Sequence, residues 1–170
     1  MMEKQRLPKL PISESKNEKN TSLKLYAIID CAHFDKDFYQ SLIQNPMLTA
    51  ESLFMRTLDE ESAEAGPLLI KLNPEQDQDL IEKLQDIEQK KPAIVWLWSD
   101  KSFLKLADNI LKPLLYGELE DGQKILIRYY DPRCIKGILE VLKENEGSAK
   151  KLAHIKAWAF KYNDEYSYLV

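Results

Sequence analysis

The sequence is poor in the residues from which most metal and redox sites are built. It holds two cysteines, Cys31 and Cys134, and two histidines, His33 and His154, in 170 residues. Two thiols so far apart suit small core residues of a reduced protein better than a disulfide framework. No apolar run approaches the roughly 18 residues that a bilayer span needs, so no membrane association is expected. The opening MMEKQRLPKLPISESKNEKN has no apolar stretch behind its basic residues, so a cytoplasmic protein is expected and not a secreted one. Positive charge is not in excess: 24 basic against 28 acidic residues leave a net of −4. A chain without a basic field displaces few counterions, and no nucleic-acid partner is expected.

The usual enzyme motifs are missing too. There is no G-x-G-x-x-G, no G-x-S-x-G and no H-E-x-x-H. Gly117-Glu118-Leu119-Glu120-Asp121-Gly122 has the glycine spacing of a phosphate loop, but Gln123 stands where the lysine is needed. Three carboxylates in that loop would repel a phosphate, so it reads as a hairpin turn. Cys31, His33, Cys134 and His154 are soft or borderline ligands, yet only the first two are closely spaced. Structural zinc sites bring their ligands in pairs, so neither a metal nor any other cofactor is expected. The most suggestive couple is Asp30 with Asp131, two acids at strand ends, where α/β folds place ligands. Each also has a scaffold role open to it: Asp131 as a helix cap, Asp30 as a turn cap or a partner of Arg128 or Arg133.

What is present is a globular composition, 44% hydrophobic and 31% charged, enough for one domain with a proper core. Residues 1–22 stand apart: polar, with two prolines and a net charge of +2 against −6 for the rest. They are expected to be a disordered tail preceding a single domain over 23–170.

From there strand and helix patterns alternate. Leu25 to Ile29 is an apolar run suited to a strand buried on both faces. Asp35 caps a helix carrying Phe38 and Leu42, and Leu68 to Leu72 is the next strand. Asn73-Pro74 starts a helix with the stripe Leu80, Leu84 and Ile87, which Pro92 stops. Ala93 to Trp98 is the most hydrophobic strand, with Trp96 and Trp98 on one face. A helix with Phe103, Ala107, Ile110, Leu111 and Leu114 follows, and Pro113 is expected to end or bend it. Tyr116–Leu119 and Ile125–Tyr130 flank the turn Asp121-Gly122 as a hairpin, which aligns Leu126, Arg128 and Tyr130. Asp131-Pro132 opens a helix with Ile135, Ile138, Leu139 and Leu142, and His154 to Phe160 alternates as a last long strand. The order predicts an α/β fold, a mixed and mostly parallel sheet with helices on its faces.

These residues, taken in order, resemble a family. Tyr26-Ala27-Ile28-Ile29-Asp30, Ser52-Leu53-Phe54, Gly66-Pro67-Leu68-Leu69, Ile94 to Ser99 and above all Arg128-Tyr129-Tyr130-Asp131-Pro132-Arg133 look like the DUF4123 family, adaptor chaperones of bacterial type VI secretion. The resemblance covers roughly residues 24–160. It implies a non-catalytic protein that binds a toxic effector in the cytoplasm and helps load it onto a VgrG-type or PAAR-type spike. Carried over by position, the family-motif residues are Asp30, Trp98, Arg128, Asp131, Pro132 and Arg133, and Tyr130 with Arg133 are the expected partner anchors. Many members continue into a second, largely helical lobe, while this sequence ends at Val170: a short member, or one whose cargo clamp is incomplete here. The readings from other classes are a small hydrolase or nuclease using Asp30, Asp131 and a histidine, and an immunity protein that neutralises an effector.

Overall fold

The computed structural model describes residues 23–169, and the expected tail over 1–22 lies outside the described residues. Six strands form one sheet: β1 (Lys24–Asp30), β2 (Thr49–Ser52), β3 (Pro67–Leu72), β4 (Ile94–Ser99), β7 (Ile155–Tyr162) and β8 (Glu165–Leu169), in the spatial order β2-β3-β1-β4-β7-β8. A separate hairpin pairs β5 (Tyr116–Glu118) with β6 (Lys124–Leu126).

Every neighbouring pair in the six-stranded sheet is antiparallel, which corrects the expected mostly parallel sheet. The reason lies in strand order. β3 and β4, joined through helix α2 (Gln78–Glu88), do run in the same direction, as a helical crossover requires. They are not adjacent, however, because β1 lies between them and runs the other way. β1 and β2, joined through α1 (Lys36–Ile43), are likewise co-directional and separated by β3. The crossover rule fixes the sense of two linked strands and leaves open whether they touch.

Burial on both faces was rightly legible. Leu25, Ala27 and Ile29 of β1 pack with Ile94, Trp96 and Trp98 of β4 beneath α1 and α2, where Tyr39, Leu42, Ile81 and Leu84 are buried. Tyr26, Ile28, Val95 and Leu97 face the opposite layer. That layer consists of a π-helical segment (Lys105–Leu111) running into α3 (Lys112–Leu114), with α4 (Ile135–Glu144) and α5 (Glu146–Leu152). A continuous apolar run thus reported two covered faces and said nothing about parallel pairing.

Local signals held where the chemistry was local. Asp35 Oδ1 accepts the Phe38 N–H at 2.9 Å and starts α1. Asn73 closes a turn of its own, with Oδ1 accepting the Glu75 N–H at 2.9 Å, and α2 begins only at Gln78. The helix ends at Leu114, one residue past Pro113, as expected of a proline there. A proline has no N–H for the carbonyl four residues back, and just before it the Lys112 N–H reaches back five residues to Ala107. The hairpin turn at Gly122 has φ 84°, where a side chain would be strained. Its second arm stops at Leu126, so Arg128 and Tyr130 are not on a strand.

Candidate functional site

At the C-terminal end of β1 the chain makes a tight 3₁₀ turn over Cys31–His33. The Asp30 carboxylate nucleates it, Oδ1 accepting the Ala32 N–H at 3.2 Å, while the Asp30 N–H is held by the Ala93 carbonyl at 2.8 Å. These bonds fix the carboxylate at the end of the sheet with only 1% exposure. Arg128, 98 positions later in the chain, crosses the end of the sheet and donates through Nη2 to Asp30 Oδ2 at 2.7 Å. The same guanidinium nitrogen lies 3.8 Å from Asp131 Oδ2. His33 Nε2 stands 3.6 Å from Asp30 Oδ2.

Asp131 is the second buried carboxylate. Its Oδ1 accepts the Arg133 backbone N–H at 2.9 Å, and its two oxygens take Arg133 Nε at 3.0 Å and Nη2 at 2.9 Å in a fork. Its carbonyl receives the N–H groups of Cys134 and Ile135, so the turn 131–134 leads directly into α4 with Pro132 at its first position. Asp131 thus caps this leading turn and not α4 itself, whose N-cap position is Cys134 with no side-chain cap bond. The expected helix cap falls one turn early. Burial pushes the Asp131 carboxyl up, but the Arg133 bonds and the charges of Arg133 and Arg128 outweigh it and hold the group below the ordinary range.

Five of the expected residues thus converge: Asp30, Arg128, Asp131, Pro132 and Arg133. Trp98 does not join them. It pairs with Leu25 at the far end of β4, four residues or about 13 Å along the strand from Ile94, with its ring edge-on to Tyr168. Tyr130 is 3% exposed and lies under the Arg128 guanidinium, 5.7 Å from its ring centre. Burial, with the nearby Asp30 charge, pushes its hydroxyl up to about 12. Of the two anchors named from sequence, only Arg133 reaches solvent, with 46% of its side chain exposed.

The arrangement is an ion knot, two buried carboxylates tied by two half-exposed arginines. Acceptor lone pairs turned toward guanidinium groups do not abstract protons readily, and Asp131, held ionised, is a poor general acid. Cys31 is buried beside the knot, and desolvation with the Asp30 charge raises its thiol to about 12, far from a reactive thiolate. Among the described residues no three His, Cys, Asp or Glu side chains are grouped to hold a metal ion.

Two polar clusters escaped sequence reading. Glu88 is 6% exposed on the inner face of α2 and accepts bonds from Trp96 Nε1 at 2.9 Å and the Tyr166 hydroxyl at 3.2 Å. Its signal was its place four residues after Leu84, on the apolar stripe. Arg56, at φ 60°, donates to Glu51 and Asp108, and the buried Lys112 bonds the same two carboxylates. That network ties β2 to the π-helical segment and had no sequence signal beyond scattered charge.

The fold and knot define a class: an antiparallel sheet with helices on both faces, whose motif residues secure the end of the sheet. The family model described as a domain of unknown function (DUF4123) matches residues 25–149, and the chain belongs to that family. No curated protein and no solved structure matches it.

Proposed function

We propose that this protein is a cytoplasmic adaptor that binds a type VI secretion effector and helps load it onto a VgrG-type or PAAR-type spike without catalysing a reaction. Family membership supports the association with type VI secretion. The observation that carries the non-catalytic part is the knot itself. Asp30 and Asp131, the carboxylates a hydrolase or nuclease would use, are turned into it and bonded to Arg128 and Arg133. An effector's loading segment exposes apolar surface, and covering it with an interface of about 800 Å² per partner prevents aggregation.

The test is co-expression with candidate type VI effectors drawn from the genes around this one. The cognate effector's soluble yield rises, the two co-purify, and the purified adaptor hydrolyses neither ester nor nucleic-acid substrates with or without divalent cations. Mapping the bound fragment to the toxic domain would indicate an immunity protein instead. Retention of neither effector nor spike protein, at low and at moderate salt, overturns the adaptor reading and favours the hydrolase or nuclease.

A further inference from the structure

The sheet ends at β8, whose outer edge has no strand beside it among the described residues. The two-residue turn Asn163-Asp164, with φ of 51° and 60°, makes Tyr162 and Glu165 the closing pair of the β7–β8 hairpin. Hydrogen-bonded pairs alternate along an antiparallel ladder, so Glu165, Ser167 and Leu169 direct their main-chain groups to β7. Tyr166 and Tyr168 therefore point two N–H donors and two C=O acceptors out from the open edge.

Beside this edge lies an apolar pocket of about 400 Å³, lined by Leu152, Ile155, Trp158 and Leu169, with Lys143 and Lys156 also at its wall. Leu169 is the register partner of Trp158, so pocket and edge adjoin. Lys156 donates to the neutral Ala153 carbonyl at 3.0 Å, and neither lysine is paired with a carboxylate among the described residues. Lys151 adds positive charge in the last turn of α5, where Lys150 is paired with Glu146 at 2.8 Å.

We infer that β8 and this pocket form the docking surface for an extended segment of the effector, which adds as a strand to the open edge, seats an apolar side chain in the pocket and sets acidic residues against Lys143 and Lys156. The inference rests on the adaptor reading and specifies where the cargo binds. Main-chain pairing supplies affinity in this mode, and the pocket supplies selectivity. Charge selects the occupant: residues 1–22 of this chain carry +2, and a second copy would bring the same lysines face to face. Most of the pocket's lining follows residue 149, beyond the matched family span, where it can suit one particular cargo.

Hydrogen exchange on the full chain, alone and in its complex with the effector that co-purifies with it, reads this surface directly. The Tyr166 and Tyr168 amides exchange rapidly in the free protein and slow about tenfold or more in the complex. The double substitution Lys143→Glu with Lys156→Glu weakens the complex about tenfold while leaving the melting temperature in place. If the complex forms with those amides still open and the charge reversal harmless, this docking surface is wrong and the adaptor reading survives. If no complex forms at all, the adaptor reading fails and this inference falls with it. A free protein that is dimeric, with both amides already protected, would assign the edge to a second copy and overturn the inference.

Discussion

Glu88 offers the sharpest test of the structure. Its carboxyl is buried against Trp96 and Tyr166, and desolvation raises it from 4.5 to about 7, although both hydrogen bonds and the charge of Lys161 pull the other way. The folded state therefore holds this proton more tightly than the unfolded chain. The resulting stability is fully present below about pH 4.5 and is lost as pH rises through 7. At about 1.36 kcal/mol per pH unit, a rise from 4.5 to about 7 corresponds to an upper bound of about 3 kcal/mol. Glu88→Gln removes the charge and keeps an acceptor for the indole N–H and a donor for the tyrosine oxygen. At pH 5 the gap should be small, under about 1 kcal/mol, because the folded Glu88 is protonated while the unfolded group has begun to ionise. At pH 8 it should be more stable by up to about 3 kcal/mol, or roughly 6–12 °C in a chain of this size. Urea unfolding followed by tryptophan fluorescence at four pH values between 5 and 8 measures the difference, and comparing the two proteins cancels the histidines. A gap that does not change with pH, or a variant less stable at pH 8, refutes the argument.

Other substitutions probe the knot and its surroundings. Arg128→Ala leaves the buried Asp30 carboxylate without its strongest donor and should cost about 1–3 kcal/mol. Adding Asp30→Asn should recover part of that loss in denaturant titrations, and an Arg128→Ala protein that melts like wild type contradicts the pairing. Asp131→Ala removes the cap of the turn into α4 and should cost about 1 kcal/mol, read by the same titration. Because Asp131 is held below its ordinary 3.8, its contribution is present above that pH and disappears as pH falls further, so the variant's deficit should shrink in acid. Gly66→Ala should destabilise by about 1–3 kcal/mol in thermal melts, since a Cβ there clashes with the edge of the Phe54 ring, itself core.

The limits of the sequence show in particular residues. α5 went unread because Glu146-Gly147-Ser148 has poor helix propensity, and its start depends on Asn145 Oδ1 accepting the Ser148 N–H at 3.0 Å. β2 went unread because Thr49–Ser52 lacks an apolar run: it is an edge strand held by pairing to β3. Arg128 and Tyr130 alternate with Leu126 as strand residues do, yet they lie past the end of the hairpin arm at Leu126.

Caps, turns and apolar stripes are decided within a few residues, and the sequence alone determined them: Asp35, Asp131-Pro132, the Gly122 turn and the two buried faces of β1 and β4. The family resemblance was likewise carried by residues in order along the chain. Only the tertiary structure decided which strands are neighbours, because inserting β1 between β3 and β4 changes no local contact of any of the three. It alone chose Arg128 as the partner of Asp30, put Trp98 at the far end of the sheet and buried Tyr130. Each of those outcomes depends on where a distant segment comes to rest, and no nearby residue in the chain encodes that position.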